Sequence, residues 1–183
     1  MGGVLESQLE EPFTVLLKTR LGRDLLQPAG VPPVWRVENT ARGGPAVGQW
    51  SRPDVILGCV RRYRSRAVPE LELYGFELKT DVGFDVSSVH QALAHTRYVN
   101  YSSVVVHCPS DETWEHRLSD VRYHAQKHGI GVIRLKSAAP ETDYDIALFS
   151  ERFDPAPRAV DYFLEDRLPD LLDWVQTQLG KEL

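Results

Sequence analysis

Cysteine is scarce: Cys59 and Cys108 are the only two in 183 residues. Neither falls in a Cys-x-x-Cys pair or a Cys/His cluster, which argues against structural zinc and against a disulfide framework. Long apolar runs are missing too. No stretch approaches the ~18–20 apolar residues of a membrane span. The N-terminus, Met-Gly-Gly-Val-Leu-Glu-Ser-Gln-Leu-Glu-Glu, is acidic and has no long apolar core, unlike a secretion signal. Internal repeats and low-complexity segments are absent. A cytoplasmic protein without membrane attachment is the resulting expectation.

What is present is enough for a core. Apolar residues make up 42% and charged residues 26%, the balance of a folded domain, and the length suits one domain. The net charge of −5 argues at first against nucleic acid, but its distribution does not. Residues 140–183 carry a net −7, whereas residues 1–139 carry +2. Arg61, Arg62, Arg64 and Arg66 fall within six residues. Phosphates respond to local patches of this kind rather than to the global balance.

The spacing of Phe13, Leu16, Leu17, Leu21 and Leu25 predicts a helix over 12–27, with Pro12 in its first turn. Residues 34–39 alternate like a strand, and 40–51, with Gly43, Gly44, Pro45 and Gly48, read as a loop. Residues 54–60 form a short β-branched apolar run, hence a buried strand. An Arg-rich turn over 61–68 leads to a partner strand over 71–79 of period two. A helix over 86–98 capped by Asp85 or a nearby serine, a strand over 102–107 and a helix over 112–127 closed by Gly129 follow. Strands at 130–135 and 144–149, then one or two helices over 158–179, complete the chain. Strands and helices mixed around one sheet in this order predict an α/β or α+β domain; α/β is the expectation carried forward.

The hairpin carries the chemistry. Folded symmetrically about Ser65–Arg66, it places Asp54 beside Glu77. Glu77 and Lys79 share a face because they are two apart, while Leu78 points away. Two carboxylates at the end of apolar strands repel each other, and a hard divalent cation, Mg²⁺ or Mn²⁺, relieves the repulsion. Such a cation makes its bound water a nucleophile, and a nearby lysine orients that water or neutralises charge on a phosphate. The set suits phosphodiester hydrolysis. Of the five lysines (18, 79, 127, 136 and 181), only Lys79 has an acid two residues before it. The plainer alternative is that Asp54 caps a turn and Glu77–Lys79 is a solvated edge pair.

Pro53-Asp54 followed by Glu77-Leu78-Lys79 resembles the signature of the PD-(D/E)XK nuclease superfamily, over a core of about residues 12–136. The resemblance implies a restriction-endonuclease-like fold: a mixed central sheet flanked by helices, here with an acidic helical C-terminal extension over about 140–183. It implies that Asp54 and Glu77 bind the metal with the Leu78 carbonyl as a third ligand, and that Lys79 positions the water or the scissile phosphate. Gln91 is similar to the glutamine on the next helix in the RecB-like and Holliday-resolvase-like branches, and Tyr98 follows it at a longer spacing than theirs. An acid from the first helix joins the site in some members; Glu10, Glu11 and Asp24 are the candidates here. The substrate implied is DNA, cleaved to 5′-phosphate products in a defence or repair setting.

The arginine turn, with Tyr63 inside it, is expected to project from the hairpin tip. There Arg61, Arg62, Arg64 and Arg66 would contact phosphates, and Tyr63 would stack on a base; the plainer alternative, equally weighted, is a solvated turn. Arg52 and Trp50 flank the Asp54 strand and are candidates to shape the nucleic-acid entrance. The six histidines read as surface or half-buried groups. His124 and His128 have the spacing of two helical metal ligands, without a third ligand nearby in sequence. Cys59 reads as core packing, and Ser87 and Ser88 as caps. Two rival functions stand beside the nuclease. One is a binding module that keeps the fold and holds nucleic acid or a protein partner with little or no catalysis. The other is a metal-dependent hydrolase of another phosphate ester. The acidic C-terminal region suggests a protein partner, and homodimerisation stays open.

Overall fold

Strands β1 (Val34–Asn39), β2 (Val55–Arg61) and β3 (Glu70–Thr80) form an antiparallel meander. β2 is buried along its whole length because it is covered on both faces, which explains its unbroken apolar run. Helix α3 (Val86–His95) then carries the chain over to β4 (Tyr101–His107), parallel to β3. Helix α4 (Asp111–Lys127) carries it on to β5 (Gly131–Leu135), parallel to β4. A parallel neighbour needs such a crossover. β6 (Tyr144–Leu148) closes the sheet antiparallel to β5, and the six strands stand in chain order. The chain is thus an α/β protein with a mixed six-stranded sheet flanked by helices. The computed structural model describes residues 4–26, 32–40 and 52–180.

Helix ends follow local chemistry. Asp85 caps α3, its side chain accepting the Ser88 N–H at 3.1 Å. Ser110 does the same for α4 with the Thr113 N–H at 3.2 Å. Gly129 ends the α4 turn at φ 63°, the left-handed region that glycine enters without strain.

One face of the sheet is covered by the N-terminal helical segment. It comprises a 3₁₀ turn at Glu6–Gln8, α1 (Glu10–Leu16), a π-helical turn at Leu17–Leu21 and α2 (Gly22–Leu26). Phe13, Leu16, Leu17 and Leu21 pack there with Val55, Leu57, Phe76 and Leu78. The helix therefore starts before Pro12 and is not uniform. Its wide turn leaves no room for a Cβ at Gly22 against the Leu17 carbonyl.

The opposite face is covered twice. α3 and α4 lie over Val104, Val106 and Val132. α5 (Pro157–Arg167) and α6 (Pro169–Leu179) lie over Ile56 and Leu73 through Phe163, Leu164, Leu171 and Val175. Leu171 seats on Gly58, where an added Cβ would stand 2.9 Å from its Cδ1. The acidic C-terminal region is therefore no appendage. It supplies an edge strand and one wall of the core, and turns its acids Asp161, Glu165, Asp166, Asp170 and Asp173 outward. Among the described residues, no helix is long and apolar enough to cross a membrane.

Candidate active site

The hairpin register brings the expected acids together. The register ends with Val55 paired to Phe76, and the Asp54 N–H donates to the Phe76 carbonyl at 2.9 Å, which sets Asp54 just outside β2 and close enough to Glu77 for their charges to interact. Thr40 fixes the approach to this point. Its N–H donates to the Asp54 carbonyl at 2.9 Å, and its hydroxyl donates to the Pro53 carbonyl. Pro53 lies on Gly75, where an added Cβ would come 2.9 Å from Pro53 Cγ. Close approach of these two residues sets where β2 begins, and with it Asp54.

Asp54 Oδ2 accepts the Leu78 N–H at 2.8 Å, which aims the carboxylate along the end of β3. Lys79 Nζ donates to Glu77 Oε1 at 2.8 Å and stands 3.6 Å from Glu6 Oε2. Glu77 and Lys79 are nearly enclosed, with side chains 10% and 12% exposed, whereas Glu6 is 46% exposed and marks the open side. Leu78, between them, points into the opposite core face with Phe13 and Phe76.

The electrostatics are those of crowded, buried acids. Burial pushes the Glu77 carboxyl up to about 7, and the Asp54 charge adds to this against the pull of Lys79. Asp54 is also raised by burial, with the Leu78 N–H and Lys79 opposing and Glu6 and Glu10 reinforcing. Burial works against the Lys79 ammonium, but Glu77, Glu6 and Asp54 outweigh it and hold the group above its ordinary value. The cluster thus has more carboxylates than cations.

Two groups of this cluster were not singled out from the sequence. Glu6 comes from the 3₁₀ turn before α1, in an acidic stretch with no distinguishing pattern. His95 is fully buried, not a surface or half-buried group, and its Nε2 stands 3.7 Å from Glu77 Oε2. Neither of its ring nitrogens has a hydrogen-bond partner of normal geometry, although the Arg52 backbone faces the ring. Burial, then Arg97 and Lys79, push His95 down to about 3, so the ring is neutral. The available signal was its position one helical turn after Gln91.

Comparison with protein-family models, curated proteins and solved structures finds no match. What the site can do rests on its own chemistry.

The remaining candidates divide. Gln91 is half-buried on α3, one turn before His95. Of the first-helix acids, Glu10 is buried, accepts from Asn39 Nδ2 at 3.1 Å and bears on Asp54. Glu11 is exposed, and Asp24 accepts the Tyr144 hydroxyl instead. Tyr98 lies beyond the end of α3 and stacks on Phe163 at 4.9 Å, so it anchors α5 rather than serving the acids. Arg52 is half-buried immediately before Pro53. Trp50 and the loop over 41–51 lie outside the described residues.

The arginine run does not project as one patch. β2 extends one residue further than expected, and its inward parity takes Arg61 into the core. There Nε donates to Glu72 at 3.1 Å and Nη2 to the Leu26 carbonyl at 2.9 Å. Arg61 is therefore withdrawn from the expected phosphate contacts. Arg62 donates to the Gln178 carbonyl at 2.8 Å and ties down the end of α6. Arg64 and Arg66 remain exposed at the tip. Arg66 pairs with Glu70 and lies over the half-buried Tyr63 ring, 5.8 Å from its centroid.

Proposed function

We propose that the chain is a divalent-metal-dependent phosphodiester hydrolase with a restriction-endonuclease-like core, acting on nucleic acid and most readily on DNA. The observation that carries the reading is the nearness of Asp54, at the start of β2, to Glu77 on β3, with Lys79 against Glu77. Two crowded carboxylates, both raised chiefly by burial, are a donor set that a hard cation would complete. Mg²⁺ or Mn²⁺ fits this all-oxygen set.

Asp54, Glu77 and the Leu78 carbonyl would hold the cation, which supplies an activated water and a partner for the phosphate oxygen. Asp54 arrives already oriented by the Leu78 N–H. Lys79 stays charged and offers its ammonium to the scissile phosphate, on the side left open by Glu6. His95, neutral and buried, backs Glu77 and keeps water from its inner oxygen. Gln91, one turn earlier on α3, would contact the substrate. A cytoplasmic setting fits this activity, and the outward acids of α5 and α6 fit a basic protein partner.

The test is cleavage of plasmid, single-stranded DNA and RNA with Mn²⁺ and with excess chelator, alongside metal titration by calorimetry. Asp54→Ala and Glu77→Ala are expected to lose metal binding and cleavage together. Lys79→Ala is expected to lose cleavage while keeping most of its metal affinity, since an ammonium is no ligand. Full activity in chelator, or wild-type cleavage by Lys79→Ala, overturns the assignment.

A further inference from the structure

His124 and His128 stand one turn apart at the end of α4, His124 in its last turn and His128 at its C-cap. Their i, i+4 spacing points both rings to one side of the helix. The third group comes from another helix. α3 and α4 are the two crossovers on the same sheet face and lie side by side, and this brings His90 of α3 to the same spot. One ring nitrogen from each of the three lies within 4.8 Å of the others. The His90 ring meets those of His124 and His128 nearly at right angles, at 78° and 80°, with centroids 6.3 Å and 5.9 Å away. The rings therefore do not stack. They meet edge to face, and the nitrogen spacing leaves room for an ion among them.

We infer that His90, His124 and His128 form a second metal site, for a borderline transition ion of the Zn²⁺ class, separate from the carboxylate cluster. Three imidazoles without a carboxylate favour Zn²⁺, Cu²⁺, Ni²⁺ or Co²⁺ over Mg²⁺ and Ca²⁺, which want oxygen. Two nitrogens at ~2.0–2.1 Å on a tetrahedral ion are about 3.3 Å apart. Closing from a spacing of at most 4.8 Å is a shift of about 1.5 Å, and His90 is the most exposed of the three. The location helps as well: the last carbonyls of α4 carry the negative end of the helix dipole, which favours a cation there. Three protein ligands leave a fourth position for water or an outside ligand. The bound ion would tie α3 to the end of α4.

The probe is Co²⁺ added to the chelator-treated, desalted full-length chain. One equivalent is expected to bind with the visible d–d bands of a four-coordinate site. Zn²⁺ should displace it, and excess Mg²⁺ should not. His90→Ala, His124→Ala and His128→Ala should each weaken binding at least about tenfold, the lower end of what even outer-shell changes cost a metal site. The double variant Asp54→Asn/Glu77→Gln should keep the four-coordinate Co²⁺ bands at wild-type intensity, which separates this site from the proposed catalytic one. A measurement on the unmodified chain guards against a misfolded variant: Zn²⁺ should shift the imidazole C–H proton resonances of three of the six histidines. Three results overturn the site: no stoichiometric binding, binding unchanged when all three histidines are replaced, or Zn²⁺ shifts in none or all six histidines.

Discussion

Glu77 joins structure to pH. Its carboxyl is raised from 4.5 in the unfolded chain to about 7 in the metal-free fold, chiefly by burial and then by Asp54. The folded state therefore holds the extra proton between those values. Its stabilising share is fully present below the unfolded value and is lost as pH rises through about 7. Without metal, stability should fall over that window, by at most about 1.4 kcal/mol per pH unit for one proton. Urea titrations of wild type and Glu77→Gln across pH 4.5–7.5 check this, and the variant should lose most of the slope. Metal binding has the opposite dependence, because the ion displaces the proton. Apparent Mn²⁺ affinity should rise up to about tenfold per pH unit toward 7 and level off above it. Calorimetry in buffers of different ionisation enthalpy counts the proton released.

At the scale of elements, the β2–β3 hairpin was the legible part. Its two strands pair without a slip from Arg61–Glu70 to Val55–Phe76, so simple symmetry about one turn brought Asp54 close to Glu77 and alternation placed Lys79 beside Glu77. The same reasoning failed at Arg61. A charged residue after an apolar run reads as the start of a turn. Here the run continues because Glu72 and the Leu26 carbonyl satisfy the guanidinium, and both partners are distant in sequence. His95 was missed for a related reason: its place one turn after Gln91 was the sole local hint, and Glu77, the acid it faces, lies on another element. The contrast within the arginine run can be measured. Arg61→Ala leaves Glu72 buried and uncompensated and should cost about 3–5 kcal/mol in urea unfolding. Arg64→Ser with Arg66→Ser should leave stability within about 0.5 kcal/mol, as exposed sites do. On duplex DNA the latter pair should reduce the slope of log K against log salt by up to about 0.9 for each phosphate no longer neutralised. β2 spans roughly 23 Å at ~3.3 Å per residue, so the single-turnover cleavage rate at saturating protein should hardly change.

For the whole molecule, the decisive feature is that α5 and α6 wall the core over Ile56 and Leu73. Sequence composition marked this region as acidic and suggested an extension. It could not show that the apolar residues Phe163, Leu164, Leu171 and Val175 all face one way, onto strands about a hundred residues earlier. Removing residues 150–183 should therefore give an aggregating chain rather than a trimmed enzyme. Gel filtration and near-UV circular dichroism of the truncated chain would reveal it, and a monodisperse, folded product would show the wall to be dispensable. The seating of Leu171 on Gly58 also has a bearing on biosynthesis. The strands leave the ribosome in the order in which they stand in the sheet, so each can pair with its predecessor as it emerges. The face that receives Leu171 has no such luxury. At ~5–20 residues per second, about 5–20 s separate the synthesis of Leu73 from that of Leu171. Through that interval the nascent hairpin, with its acids already brought together, shows a bare apolar flank, and it is there that a ribosome-associated chaperone would find its purchase.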